Sequence, residues 1–221
     1  MKAENAQQKI NRIKQAAITL IKKEDVNLIS LYDIARQAHI ANSTVYHHFA
    51  NIEALLIEIA NEVFENLNEL LDQVEAVPYF EHWSDITRQI EDIYVRNYRE
   101  NPLAAKLILG QHKYYQLRQA DVQNDHLLAK RITNIYSRHF ILPALPKNRN
   151  VFAISLQAAD KIYSTYYNVV GNIIPEASEE GCRLAIAYLG LYFPHYLQRN
   201  TSVPTETEVF DKITCSNAFA G

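Results

Sequence analysis

SLYDIARQAHIANSTVYHHF, running from Ser30 to Phe49, is the stretch whose reading decides the fold. Leu31, Ile34, Ala35 and Ala38 recur at intervals of three and four, the period that gathers apolar side chains on one face of a helix. Ser30 stands just before them with Asp33 three residues on, a weaker form of the capping box that starts a helix. A break at His39–Ala41 then separates this short helix from a second one over about Asn42 to His48. Two short helices joined by a turn of three or four residues form the arrangement in which one helix lies in a DNA major groove and the other buttresses it. Leu31, Ile34, Ala35, Ala38, Ile40, Val45 and Phe49 supply a small core between helices, with Val45 and Phe49 read as core alone. Asn42, Ser43, Thr44, Tyr46, His47 and His48 crowd the start and exposed side of the second helix. Hydroxyl, amide and ring groups there can reach phosphates or base edges, and Thr or Tyr can touch a thymine methyl. Asn42 has a second reading as an N-cap, and the Tyr46, His47 and His48 rings a second reading as plain surface aromatics.

Outward from this segment the same period continues. Ile10, Ile13, Ala17, Leu20 and Ile21 form the stripe of a preceding helix. On the other side, Ile52, Leu55, Leu56, Ile59, Val63, Leu67, Leu70 and Val74 form a long one that Pro78 ends. Trp83, Ile86, Ile90, Ile93 and Tyr94 mark a fifth helix, and Asn101–Pro102 supplies an N-cap with proline at N1 for a sixth. A seventh is expected over 121–141, ended by Pro143 and Pro146, and the last two over about 149–173 and 177–198, divided at Ile174–Pro175. The expected fold is therefore all-α with about nine helices. A DNA-binding domain occupies 1–52, helix four connects over about 52–76, and a larger domain fills 53–200. A tail at 201–221, rich in Thr and Ser, shows little apolar periodicity and is expected to be flexible.

Composition narrows the class. With 48% hydrophobic residues in 221, the chain can fill a sizeable core, and its five glycines suit stacked helices. A net charge of −3 argues against a protein that coats nucleic acid indiscriminately, so any DNA contact is local. Residues 1–60 hold seven Lys/Arg against six acids and are +1, which leaves −4 for the rest. Cys182 and Cys215 lie far apart with no CxxC spacing, so neither a zinc site nor a disulfide framework is indicated, and a reducing cytoplasm fits. The N-terminus lacks the apolar stretch of a signal peptide. The most apolar run, Leu184 to Phe193, is about half of the roughly 20 residues a membrane span needs.

The pattern I-A-x-x-A-x-I-x-x-S-T-V-Y-x-H-F, preceded by an amphipathic helix and followed by N-I-E-A-L-L, resembles the TetR family of bacterial regulators over roughly residues 9–56. The resemblance implies a third helix that reads operator DNA. Positions matching the family's DNA-contacting residues are Ser30 and Tyr32 at the start of helix two, Asn42, Ser43 and Thr44 entering helix three, and Tyr46, His47 and His48 along it. Three departures stand out. His39 occupies a turn position where the family usually has glycine, at a cost of about 1 kcal/mol if the backbone is left-handed. Ile52 replaces the usual lysine at the start of helix four, which removes one phosphate contact and predicts a shallower salt dependence. A glycine common before helix two is absent around Asp25–Val26.

The resemblance also implies that the larger domain dimerises through its last two helices and binds a small effector. The residues support a homodimer independently, because Leu184 to Phe193 is apolar all round and the helix from Phe152 to Ile173 is apolar on more than one face. Ile162, Tyr166, Val170, Leu184, Tyr188, Leu191 and Tyr192 are the candidate dimer residues, a helix buried within a monomer being the competing reading. Trp83, Tyr94, Tyr98, Leu107, His112, Tyr114, Tyr115 and Tyr163 are the candidate lining of an apolar effector cavity, with plain core packing as the alternative for each. A mostly apolar cavity with a few polar anchors leads to the expectation of a small, largely apolar effector; no buried acid or base is identifiable, so its charge and chemical class stay open. No cofactor is expected, and no H-E-x-x-H, G-x-S-x-G or glycine-rich loop marks an enzyme. The expected function is a ligand-responsive repressor that binds a palindromic operator as a dimer. Two rivals are a DNA-binding protein without small-molecule control that positions another protein, and a helical carrier or enzyme.

Overall fold

Among the described residues the helix signals in the sequence become nine α-helices, and the sixth continues without a break into a π-helical turn. The computed structural model describes residues 5–201. We label the helices α1 (Ala6–Lys23), α2 (Leu31–Ala38), α3 (Asn42–His48), α4 (Ile52–Glu75), α5 (Trp83–Glu100), α6 (Pro102–Ala104, continued by the π-turn Ala105–Leu109), α7 (Tyr115–His139), α8 (Val151–Val170) and α9 (Pro175–Leu189). The only extended pairing among the described residues is a single antiparallel bridge between Phe140 and Arg199. No described helix is long and apolar enough to cross a membrane.

Local chemistry fixes the N-terminal domain. Ser30 caps α2 in a full capping box: its hydroxyl accepts from the Asp33 N–H, and the Asp33 carboxylate accepts from the Ser30 N–H. α2 ends at His39 in the left-handed region, φ 52° and ψ 45°, the conformation anticipated where the family carries glycine. Arg12 of α1 steadies this turn by donating to the carbonyls of Ala38 (3.1 Å) and His39 (3.0 Å), which satisfies helix-end acceptors that would otherwise face water. Ile13, Ala17, Ile21, Ile34, Val45, Leu55 and Leu56 are buried together beneath α2 and α3. Truncating Ile34 to Ala in this core costs about 2–5 kcal/mol.

Asn51 caps α4, which runs on from these helices along one continuous core and pairs with α5 and α7. α7 also pairs with α8, and α8 with α9. Gly181 permits that last approach: a Cβ there would lie 2.2 Å from the Tyr163 ring. Asn101 caps α6 with Pro102 in the first turn, as the sequence indicates. Gly110 ends the π-turn, where a Cβ would collide with the Lys106 carbonyl oxygen at 2.3 Å.

Three sequence expectations shift. α7 begins at Tyr115 rather than 121, because its uncapped start borrows a cap from far away: the Glu53 carboxylate of α4 accepts from the N–H of Gln116 (2.5 Å) and Leu117 (3.4 Å). α9 ends at Leu189 rather than 198, since the chain turns to bury Phe193 against Trp83, Tyr136 and Phe152. The N-cap of α3 is Ala41, so Asn42 is the first helical residue and its side chain is not consumed by capping. The expected flexible tail lies, apart from Thr201, outside the described residues, as does Cys215.

Candidate nucleic-acid interface and regulatory core

α3 buries Val45, with Phe49 at its end, and turns its other side outward. Asn42, Ser43, Tyr46 and His47 are exposed, and Thr44 and His48 half-buried. Tyr46 keeps 56% of its surface accessible, too much for a core ring. The His47 and His48 rings meet edge to face at 5.3 Å. On α2, Tyr32 is 57% exposed, and Arg36 follows one turn later on the same face. Arg36 escaped the sequence reading, although its i, i+4 spacing from Tyr32 was a usable signal. It pairs with Asp33 at 3.3 Å.

Ser30 differs from the other matched positions. Its hydroxyl donates to the Asp33 carboxylate at 2.6 Å and accepts from the Asp33 N–H at 3.2 Å. That bond, more than any other contact, holds the Asp33 carboxyl below its usual range. A phosphate offers only acceptors, so Ser30 has no hydroxyl proton for it while the cap is closed. Ile52 is half-buried and packs against the core, so the start of α4 presents no cation.

Residues 13–59, which span this helix-turn-helix, match the family described as "Bacterial regulatory proteins, tetR family". This segment is a helix-turn-helix of the TetR type. An uncharacterised HTH-type transcriptional regulator of Haemophilus influenzae is 30% identical over 81 residues, which are 36% of this chain. The chain spans 43% of the length of that curated relative. Over most of the chain the likeness is one of fold. A TetR-family regulator from Streptomyces coelicolor superposes with a TM-score of 0.62 at 19% identity, over 85% of this chain and 98% of the other. RolR in complex with resorcinol gives 0.55 at 16% identity, over 85% and 88%.

Besides α4 itself and the packing of α1 on α6, residues 106–117 fasten the TetR-type helix-turn-helix to the larger domain by hydrogen bonds. The Lys106 ammonium donates to the carbonyls of Ile21 (2.7 Å), Lys22 (3.2 Å) and Glu24 (3.0 Å) and so closes the end of α1. Asn27 donates to the Gln111 carbonyl at 2.9 Å, Lys113 donates to Asn27 from both its N–H and its ammonium, each at 2.9 Å, and the Tyr114 hydroxyl donates to the Val26 carbonyl at 3.2 Å. From the other side, Asn168 of α8 donates to the Leu109 carbonyl at 2.8 Å and accepts from the Gln111 N–H at 3.0 Å.

Beside this segment a cleft of about 870 Å³ opens between α7 and α8, lined by residues that include Ile108, His112, Asp121, Val122, Lys161 and Asn168. Of the expected cavity residues, Tyr94, Tyr98, Leu107 and Tyr163 are buried in the interior of α5, α6, α7 and α8, and His112 borders the cleft. Trp83 is not among them: its indole N–H points to the Pro194 and His195 carbonyls at 3.1 and 3.2 Å and pins the C-terminal segment. Tyr115 is 63% exposed, and the Tyr114 hydroxyl is committed to Val26.

The interior holds acids that could not be identified in the sequence. Glu91, Asp121, Asp125 and Asp160 converge there, and burial pushes the carboxyls of Glu91 and Asp125 up to about 7 and that of Asp121 to about 8. Asp160 is raised as well, first by burial and then by Asp125, Asp121 and Glu91. These acids alternate with ordinary polar residues along α5, α7 and α8, so nothing in the sequence separated them from a solvated face.

On the outer side of α8 and α9, Tyr166, Val169, Val170 and Leu184 are exposed, and beyond α9 so are Leu191 and Tyr196, with Leu191 at 75%. Ile162, Tyr188 and Tyr192 are half-buried. Leu191 and Tyr192 belong to the turn after α9 and not to the helix.

Proposed function

We propose that the protein is a transcriptional regulator that binds a near-palindromic operator as a homodimer and is released by a small effector, acting mainly as a repressor. The observation that carries this reading is the outward face of α3, where Asn42, Ser43, Tyr46 and His47 stand exposed on a helix whose opposite side is locked into the core. Those side chains, with Thr44, His48 and Tyr32, are the reading set. Ser30 contributes the geometry of α2 and not a proton to phosphate. With Ile52 at the start of α4, recognition rests on Tyr, His and hydroxyl contacts more than on ionic attraction.

A second copy covers the apolar row of Tyr166, Val169, Val170 and Leu184, because a row of that kind left in water favours self-association. Two-fold pairing sets two α3 helices in successive major grooves, about 34 Å apart. Effector binding beside residues 106–117 shifts α1 through Lys106 and Asn27 and the start of α4 through Glu53, which changes the separation of the two reading heads. RolR, which shares the fold, is a precedent for a small-molecule complex.

A mobility-shift titration against the DNA flanking the protein's own gene tests the proposal. Retardation that survives excess unrelated DNA supports it, and equal competition by any sequence contradicts it.

A further inference from the structure

The carboxyls of Glu91 (α5), Asp121 and Asp125 (α7) and Asp160 (α8) meet in one interior region, each within electrostatic reach of at least one other. No lysine, arginine or histidine forms an ion pair with any of them among the described residues. Their hydrogen-bonding neighbours are neutral, while Arg88, Arg99 and Arg183 share a cleft with Glu91, and Lys113, Arg118 and Lys161 share one with Asp121. The Tyr163 hydroxyl donates to Glu91 at 2.8 Å, Gln157 faces Asp125, and Tyr98 faces Asp160. Glu91 and Asp125 are buried, at 4% and 5% exposure, while Asp121 and Asp160 are half-buried and Asp121 lines the cleft. Carboxyls held this way without an ion pair destabilise the fold, because each must either stay protonated or lose hydration uncompensated.

A second, independent feature lies in the same place. Tyr94 is 4% exposed, and its hydroxyl has no hydrogen-bond partner. It sits in the field of Glu91, Asp160 and Asp125 yet beyond bonding distance of each. A buried hydroxyl left unpaired is costly, so its position among acceptors marks a place for a group that bonds to it and to them. His112, on the adjoining cleft, repeats the theme. Its Nε2 lies 3.1 Å from the Leu107 carbonyl and therefore carries the proton, which leaves Nδ1 an acceptor with no donor.

We propose that this acidic interior, entered through the cleft that Asp121 lines, binds an organic amine carrying more than one positive charge. Its ammonium groups would neutralise Asp121, Asp125 and Asp160, and the Tyr94, Tyr98 and Tyr163 rings would pack on its methylenes and face its charges. A single metal ion does not suit the site, since no three acids or histidines among the described residues stand close enough to share one. The cations on the cleft's rim do not compete: Lys113, Arg118 and Lys161 are exposed, and Lys113 and Arg118 donate to the Asn27 and His112 carbonyls. The proposal rests on the effector reading above and makes that effector cationic, where the sequence led to the expectation of a largely apolar one.

Thermal unfolding of the full chain, with no DNA present, tests amine binding separately from DNA binding. The probes are spermidine and the aromatic diamine p-xylylenediamine, with NaCl and MgCl2 at matched ionic strength as controls. At least one amine is expected to raise the melting temperature by about 5 °C or more at saturation, and the salts to leave it within about 1 °C. The shift is expected to vanish in Asp125→Asn/Asp160→Asn, and Tyr94→Phe to weaken the apparent affinity by about 10-fold. No shift with either amine overturns the proposal, as does an equal shift with MgCl2 or one that persists in the double variant. A mobility shift on the same wild-type sample reports DNA binding in parallel, so a failed amine site and a failed regulator reading give different results.

Discussion

Tyr46 and His47 are exposed side chains with no part in the core, so their loss should leave the fold intact and weaken only what they touch. The double change Tyr46→Ala plus His47→Ala is expected to reduce operator affinity by about 10-fold or more, since a good base contact is worth roughly 1–3 kcal/mol. Its melting temperature should match the wild type within about 1 °C. Unchanged operator affinity would remove these residues from the interface. Ile52→Lys tests the opposite deficiency. A lysine there can lay its stem on the core and put its charge at the phosphate, so the slope of log K against log[salt] should steepen by about 1. The buried acids give a prediction in pH. Glu91 and Asp125 titrate at about 7 and Asp121 at about 8, against usual values of 4.5 and 3.8. The folded chain therefore holds protons that the unfolded chain releases from about pH 4 upward, and stability falls as pH rises from about 4 to about 8. Asp125→Asn removes part of that loss and keeps an acceptor for Gln157. Chemical denaturation should find it more stable than wild type by on the order of 1–3 kcal/mol at pH 8, with no gain at pH 4.

At the scale of elements, a few residues join the two domains. Lys106 closes the end of α1 with three donated bonds, and Glu53 of α4 caps α7. Lys106→Met should cost on the order of 2 kcal/mol by leaving helix-end carbonyls without a charged donor, and should uncouple ligand binding from DNA release more than it weakens either one. A variant that still releases operator at the wild-type effector concentration would show that the signal runs elsewhere. His39→Gly should stabilise the turn by about 1 kcal/mol, because glycine adopts φ near 52° without a Cβ penalty. Elements whose signals are local were legible in the sequence: the Ser30–Asp33 box and the Asn101–Pro102 start appear where the residues put them, and the left-handed turn at His39 falls where the resemblance implies a glycine. The misplaced boundaries have distant causes. α7 starts early because Glu53 reaches it across the fold. α9 stops at Leu189 because Phe193 is drawn into a cluster with Trp83, Tyr136 and Phe152, which no local pattern reveals. The acidic interior was illegible for a related reason, since Asp121 and Asp125 look like any solvated pair until α5 and α8 close over them.

For the whole molecule, the exposed row on α8 and α9 and the distant reading heads form one account, in which pairing through the row sets the spacing of the heads. Leu184→Glu places a charge in that row, where Leu184 is 39% exposed, and should shift the protein from dimer to monomer in analytical ultracentrifugation. Operator affinity should fall with it by about 100-fold, because one head alone loses the second half-site. A monomeric wild type would detach the row from function. Footprinting on the DNA flanking the protein's own gene tests the central claim most directly. Two protected patches related by an imperfect palindrome, centred about 10 base pairs or a small multiple of that apart, are the predicted result. Uniform protection without sequence preference, or none at concentrations where the protein is dimeric, would contradict it.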